Sequence, residues 1–302
     1  MDWMRFSRRR EPQSVVYGVV CGGLLLAAGL SVWLGQARTQ TTAAAKPAVG
    51  PEQGGTLLIC GGGEVPVELR ERFYQRAGGD EARIVVIPGV YVGDNDELSR
   101  AYLEPWESLG ARQIELISAR SPRLANTVAF VRAVANATGV WLGGGDQVWL
   151  TATYSGTRIE EEIKRVLDRG GVVGGVSAGA AVMSPLMIAG GHGSAVESSG
   201  FGLLPDSVID QHFLQRNRLN RLLGTVSAHP DLIGFGVDEG TALEVCLGNH
   251  RLSVLGESYV LACVPRSDDR ETRIEILKRG DETTLPALRE PRQLAARPNA
   301  GQ

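Results

Sequence analysis

The sequence has few of the residues that build metal sites and disulfide frameworks. Its 302 residues include only four cysteines and four histidines, and none of these has the spacing of a metal site. We therefore expect no metal and no cofactor. Basic residues are not in excess, since 31 lysines and arginines stand beside 34 aspartates and glutamates, which argues against nucleic acid as a partner. No pattern recurs at a fixed period, so a repeat architecture is excluded.

One long uncharged run lies near the N-terminus. Val15–Leu34 is long enough, at about 20 residues, to cross a bilayer as a helix, and Arg5 and Arg8–Arg10 precede it. Basic residues on that side favour a cytoplasmic N-terminus. We therefore predict that residues 1–35 form a single-pass anchor in a bacterial-type cell membrane, inserted through residues 15–34. Cleavage near Gly35-Gln36-Ala37, which would release a secreted protein, is the alternative.

The rest of the chain divides into a linker, a domain and a tail. Residues 36–54 and 285–302 are rich in small residues and proline and have no apolar period, which predicts a flexible linker and a disordered tail. Residues 55–284 between them are predicted to form one globular domain. Its three cysteines are expected to be apolar core residues, and a disulfide between Cys246 and Cys263 is left open.

Short apolar runs alternate with amphipathic stretches in the first half of this domain. The predicted strands are Thr56–Cys60, Arg83–Pro88, Gln113–Ile117, Val140–Leu142 and Val172–Val176, and the predicted helices are Val67–Arg76, Glu97–Leu109, Leu124–Ala137 and Thr157–Arg169. This alternation predicts an α/β fold in which helices cover both faces of a mostly parallel sheet. Sites in such sheets form beyond the carboxyl ends of the strands. Thr241–Val264 differs, because it has the pattern of consecutive short strands.

A turn made of glycine and alanine follows the last of these strands. Gly175–Gly179 matches the G-x-S-x-G nucleophile elbow, in which a strand enters a helix through a sharp turn that excludes large neighbours. The N–H of Ala178 would begin the helix and face a developing oxyanion. We therefore predict that Ser177 is a nucleophile. A glycine-rich turn for packing or phosphate binding is the alternative, although the lysine of a P-loop is missing.

A serine nucleophile needs a base, because its hydroxyl is nearly inert at neutral pH. Among the four histidines, only His212 lies in a dense run of polar side chains, at residues 210–221. Arg216 follows His212 by four residues and Arg221 follows Arg218 by three, so on a helix several donors would converge on a carboxylate. A solvated basic helix is the alternative interpretation of this run.

These motifs resemble, in their order along the chain, those of the cyanophycinase and dipeptidase E family of serine peptidases, and most closely its cyanophycinase branch. The matching segments are the D-Q-H-F-x-x-R-x-R-x-x-R run at 210–221, the elbow Ser177–Ala180, the turn Gly144–Gln147 and the strand end Val237–Ala242. The resemblance covers about Thr56 to Val264. It implies a three-layer α/β/α sandwich like that of class I glutamine amidotransferases.

The resemblance also implies an activity. Family members hydrolyse cyanophycin, a polyaspartate with arginine on each β-carboxyl, to β-aspartyl-arginine dipeptides. This chain would do so as an exopeptidase with its catalytic domain outside the cytoplasm, and a homodimer is left open. A β-aspartyl dipeptidase without polymer activity and a catalytically idle binding protein on the same scaffold are left open. So is an α/β-hydrolase, in which His229 or His250 would be the base.

The resemblance finally implies a role for individual residues. Ser177 would be the nucleophile, His212 the base and Glu239 the acid that orients the imidazole. The oxyanion would be bound by the N–H of Ala178 and by the backbone of Gly144 or Gly145. Six further residues match the family's substrate pocket: Gln147, Asp210, Gln211, Arg216, Arg218 and Arg221.

Overall fold

The computed structural model describes residues 54–265 and 271–290, and every element below lies in these ranges. The strands are β1 (Thr56–Cys60), β2 (Arg83–Gly89), β3 (Gln113–Leu116), β4 (Gly139–Gly145), β5 (Val172–Val176), β6 (Leu186–Gly190), β7 (Val196–Ser199), β8 (Ser207–Asp210), β9 (Ile233–Val237), β10 (Thr241–Cys246), β11 (Arg251–Gly256), β12 (Tyr259–Pro265), β13 (Thr272–Lys278) and β14 (Glu282–Thr284). The helices are α1 (Val67–Arg76), α2 (Asp96–Glu107), α3 (Pro122–Ala125), α4 (Val128–Asn136), α5 (Gln147–Tyr154), α6 (Arg158–Asp168), α7 (Ala178–Ala181), α8 (Leu219–Ala228) and α9 (Leu285–Arg289).

Eight strands form the first sheet, in the order β14-β11-β10-β1-β5-β4-β2-β3. The five strands predicted from the alternating pattern are its parallel half, and β10, β11 and β14 extend it in antiparallel fashion. The register pairs Cys60 with Val176, so the carboxyl ends of β1 and β5 lie side by side. The predicted α/β class is confirmed, and so are the short strands expected in Thr241–Val264.

A second sheet was not predicted. Its six strands follow the order β13-β12-β9-β8-β6-β7, with parallel pairs only between β6, β8 and β9. No strand was predicted in residues 186–210 because buried and exposed side chains do not alternate there. The strand β8 is buried along its whole length, and β7 is exposed along its whole length. The single, mostly parallel sheet of the prediction is therefore corrected to two mixed sheets.

The hydrophobic core lies on both faces of the first sheet. On one face α1 and α2 bring Phe73 and Trp106 against Trp141 of β4, with ring centroids 4.9–5.2 Å apart. The other face packs on α4 to α7 and on the second sheet, whose outer face is covered by α8. In the predicted sandwich only helices cover this face of the first sheet. In the structure the second sheet covers part of it.

The prediction of a membrane-spanning helix requires correction. Among the described residues no helix is long and apolar enough to cross a bilayer, since the longest, α2, has 12 residues and a length of about 18 Å against a hydrocarbon core of about 30 Å. The fold described here therefore contains no such helix, and the single-pass membrane localisation is not maintained. The predicted span Val15–Leu34 and the alternative cleavage site lie outside the described residues.

Two further expectations concern the ends and the cysteines of the domain. The chain continues past the predicted boundary at 284 into α9, where Leu288 is buried. The remaining domain boundaries and the possible homodimer stay predictions. Cys60, Cys246 and Cys263 are buried and free, so Cys246 and Cys263 are not joined.

Candidate active site

Ser177 occupies the turn between β5 and α7. Its backbone has φ 54° and ψ −110°, a conformation that costs free energy and is held by the bond from its N–H to the carbonyl of Cys60 at 3.1 Å. The flanking glycines are required by close contacts. A Cβ at Gly175 would lie 2.5 Å from the oxygen of Gly179, and one at Gly179 would lie 2.1 Å from the oxygen of Leu142. These contacts explain why the sequence surrounds Ser177 with residues that have almost no side chain.

Three of the predicted residues lie in one hydrogen-bonded chain. Ser177 Oγ is 2.8 Å from His212 Nε2, and His212 Nδ1 bonds the carboxylate of Glu239. They come from the ends of three strands, because Ser177 follows β5, His212 follows β8 and Glu239 follows β9. If Nδ1 carries the proton toward Glu239, Nε2 is free to accept the hydroxyl proton of Ser177. By contrast, His229 pairs with Glu197 at 3.0 Å.

The surroundings of His212 favour its neutral form. Burial lowers the pKa of His212 below its ordinary value, the bond to Glu239 opposes this shift, and the charge of Arg216 adds to it. A neutral imidazole at neutral pH is the form that can accept a proton.

A glycine loop after β1 holds the imidazole, and the sequence interpretation missed it. A Cβ at Gly62 would lie 2.3–2.6 Å from three ring atoms of His212, and one at Gly63 would lie 2.8 Å from Glu239 Oε2. The carbonyl of Gly61 accepts the backbone N–H of His212 at 2.7 Å. The available signal was the run of three glycines directly after a predicted strand, at the edge of the sheet where sites form.

Asp238 is a second residue that the sequence interpretation did not single out. Its Oδ1 accepts the backbone N–H groups of Leu214 and Gln215, both at 3.0 Å, and its Oδ2 accepts the hydroxyl of Ser258 at 2.7 Å. Asp238 therefore ties the turn that follows His212 to the end of β9. Glu239, its neighbour in the chain, contacts the imidazole of the same histidine.

The predicted oxyanion donors lie around Ser177. Ala178 is the first residue of α7, so its N–H has no partner within the helix. A Cβ at Gly144 would lie 3.7 Å from Ser177 Cβ, and the carbonyl of Gly144 accepts the hydroxyl of Tyr102 at 3.2 Å. A glycine is required at position 145 for a different reason. Its φ is 146°, and an added Cβ would lie 2.3 Å from the oxygen of Gly89.

The predicted pocket residues separate into buried and exposed groups. Asp210 and Arg221 are both buried and form a two-point ion pair, and Arg221 Nη1 also donates to the carbonyl of Gly191 at 2.5 Å. Burial raises the pKa of the Asp210 carboxyl, while the bonds from Arg221 oppose that rise. This geometry favours a structural role for the pair and leaves the Arg221 guanidinium no open side for a substrate.

Gln211 and Arg218 continue this internal network. Arg218 Nη1 donates to the carbonyl of Gln211 at 2.6 Å and bonds its side-chain oxygen, and burial together with Arg221 lowers the pKa of Arg218 to about 10. The amide of Gln147 donates to the carbonyl of Ala189 in β6 at 3.0 Å. Arg216 alone of the six is exposed, and its guanidinium has no hydrogen-bond or ion-pair partner in residues 54–265 or 271–290.

We expect Arg221→Met to destabilise the protein strongly. The substitution leaves the buried carboxylate of Asp210 without its main partner, a change that costs about 3–5 kcal/mol. Urea denaturation measures this loss in the free energy of unfolding. Arg216→Met is the control, with a change within about 0.5 kcal/mol because that side chain is exposed. Equal stability of the two variants would contradict the structural role of Arg221.

Comparisons with known proteins were consistent in fold and in family. A sequence profile described as Peptidase family S51 matches residues 57–253. Cyanophycinase from Synechococcus elongatus is 36% identical over 223 residues, which cover 70% of this chain and 69% of that protein. Cyanophycinase from Nostoc sp. is 37% identical over 221 residues, with coverages of 69% and 73%.

Solved structures share the fold at lower identity. The crystal structure of a peptidase from an acI-B1 Actinobacterium has a TM-score of 0.62 at 21% identity and covers 76% of this chain and 97% of its own. A putative peptidase E protein from Listeria monocytogenes has a TM-score of 0.50 at 15% identity, with coverages of 68% and 100%.

Proposed function

Because the chain belongs to peptidase family S51 and is therefore a serine peptidase, we propose that it hydrolyses cyanophycin to β-aspartyl-arginine dipeptides through Ser177, His212 and Glu239. The observation that carries this proposal is the hydrogen-bonded chain from Ser177 Oγ through the imidazole to the Glu239 carboxylate. A serine hydroxyl, a neutral imidazole and an orienting carboxylate are the groups that acyl transfer requires.

In the proposed reaction each of these groups has one role. His212 Nε2 takes the proton of Ser177 as Oγ attacks the carbonyl carbon of an aspartyl residue. The imidazolium that forms is stabilised by Glu239, and the oxyanion by the N–H of Ala178 and the backbone at Gly144. His212 then returns the proton to the leaving amine, which breaks the amide bond. Water, deprotonated by the same imidazole, hydrolyses the acyl-enzyme and restores the hydroxyl of Ser177.

Among the pocket residues, Arg216 has the position to bind a carboxylate of the substrate. Its exposed guanidinium lies close enough to His212 to lower the pKa of that imidazole. Asp210, Arg218 and Arg221 instead bond one another and the neighbouring backbone, so they support the segment that carries His212. We propose that Arg216 binds the free α-carboxylate of the chain-terminal aspartyl unit in charge-assisted fashion.

The test of the proposed function is incubation of the full chain with insoluble cyanophycin, followed by mass analysis of the soluble products. We expect β-aspartyl-arginine dipeptides to be released. An intact polymer together with cleavage of soluble β-aspartyl dipeptides would indicate a dipeptidase instead. Binding of the polymer with no cleavage of either substrate would indicate a binding protein.

The pH dependence of kcat/KM provides a further prediction. Only neutral His212 accepts the proton of Ser177, and its pKa is lowered, so activity should persist below the ordinary histidine pKa of about 6.5 and fall as the pH drops through the lowered value. Arg216→Gln removes a positive charge that lowers this pKa, so the acid limb should move to higher pH. Low ionic strength is needed because salt screens an exposed charge.

The matched control for this shift is Arg100→Gln, which removes an exposed arginine from α2. Its acid limb should coincide with that of the wild type. An acid limb that stays in place in Arg216→Gln, or moves to lower pH, would contradict the proposed electrostatic contact between Arg216 and His212.

A further inference from the structure

A small cavity lies next to Ser177, at the carboxyl ends of β1, β4 and β5. Its volume is about 260 Å³. Val176 and Gly144 line it: Val176 precedes Ser177 in the chain, and a Cβ at Gly144 would lie 3.7 Å from Ser177 Cβ. Pockets for whole drug-sized ligands start at about 300 Å³, so this cavity suits one side chain rather than a whole dipeptide.

Three aromatic side chains are among the residues that line the cavity. Trp106 of α2 and Trp141 of β4 are buried and line it together with Tyr102, whose hydroxyl donates to the carbonyl of Gly144 at 3.2 Å. Tyr102 therefore lines the cavity and also contacts, through its hydroxyl, the backbone beside the nucleophile. Aromatic faces attract cations, and a guanidinium is the side-chain group most often found on them.

Two side chains of opposite charge complete the lining. Glu64 follows the glycine loop after β1 and is exposed, and Arg70 lies on α1 and is half-buried. Neither side chain makes a hydrogen bond or an ion pair with any residue that the structure describes. A carboxylate and a guanidinium that line one cavity without pairing are both available to a ligand that carries the two complementary charges.

We propose that this cavity binds the arginine unit of the substrate, with its guanidinium at Glu64 and its α-carboxylate at Arg70. The proposal rests on the proposed function, because the arginine of cyanophycin is joined through its α-amino group and so retains both charges. Arg216 and this cavity then bind different parts of one substrate: Arg216 a carboxylate of the aspartyl unit, and the cavity the arginine attached to it. Glu64 and Arg70 become determinants of specificity that take no part in the chemical step.

The test pairs two variants with two altered substrates. Soluble β-aspartyl-arginine oligomers are compared with oligomers that carry citrulline, which has no positive charge, and with oligomers that carry agmatine, which has no carboxylate. Glu64→Gln should raise KM about tenfold on the arginine and agmatine substrates, leave it unchanged on the citrulline substrate, and leave kcat within twofold throughout. Arg70→Gln should raise KM on the arginine and citrulline substrates and leave the agmatine substrate unaffected.

The control variant is Glu71→Gln, which removes an exposed carboxylate from α1 that does not line the cavity. Its KM should match the wild type on all three substrates. If Glu64→Gln leaves KM unchanged on the arginine substrate, or raises it equally on the citrulline substrate, the inference is overturned while the proposed function stands. If the wild type cleaves none of the substrates, the proposed function is wrong and the inference falls with it.

Discussion

Replacement of Ser177 with alanine is expected to abolish hydrolysis of cyanophycin, with a fall in kcat on the order of 10⁶-fold. Alanine fits the turn because it only removes the hydroxyl, and no close contact of the backbone depends on that oxygen. The nucleophile is then missing, while the oxyanion donors and the binding residues remain. Dipeptide release measured by mass spectrometry gives the loss of activity, and thermal denaturation should show a nearly unchanged Tm.

The control for this prediction is Ser155→Ala, at an exposed serine that directly follows α5. It should retain full activity. Labelling with a fluorophosphonate, which reacts with activated serines, should be lost in Ser177→Ala and kept in Ser155→Ala. Activity of Ser177→Ala within tenfold of the wild type would refute the assignment of the nucleophile.

The parts of the site that could be predicted from the sequence are those fixed by short-range geometry. The elbow at Ser177 depends largely on contacts within β5 and α7, and the glycines that permit these contacts, Gly175 and Gly179, lie close together in the sequence. The approach of Gly179 to Leu142 and the bond from the N–H of Ser177 to Cys60 are the contacts with other strands. The helix α1 matches the predicted bounds Val67–Arg76 because its apolar positions recur with a helical period.

The parts that could not be predicted depend on contacts between distant segments. The helix expected from the spacing in residues 210–221 starts only at Leu219, because β8 continues to Asp210 and the intervening turn is held by Asp238. Arg221 therefore turns inward to a buried carboxylate rather than outward to a substrate. No local pattern distinguishes these two directions, since an arginine suits either a buried ion pair or a ligand carboxylate.

The glycine loop after β1 leads to the second prediction with a large effect. In Gly62→Ala the added methyl group would lie 2.3 Å from His212 Cε1, whereas ordinary contacts begin at 3.4 Å, so the imidazole or the loop has to move by about 1 Å. Ser177 Oγ then loses its 2.8 Å contact with Nε2. A misplacement of this size costs about 10²-fold or more in turnover. Because no substrate contact is removed, kcat should fall while KM changes little.

A second positive-φ glycine separates displacement of the ring from backbone strain. Gly78 has φ 115°, near the φ 130° of Gly62, and no atom closer than 3.7 Å to an added Cβ, so Gly78→Ala introduces strain alone, with a cost of about 1–3 kcal/mol in stability and unchanged kcat. Fluorophosphonate labelling should slow in Gly62→Ala in parallel with kcat, because both reactions need the imidazole as base. If Gly62→Ala retains kcat and labelling within threefold of the wild type, the loop does not position His212. If Gly62→Ala loses kcat but is labelled normally, the serine is still activated. The substitution would then act on the positioning of the substrate and not on His212.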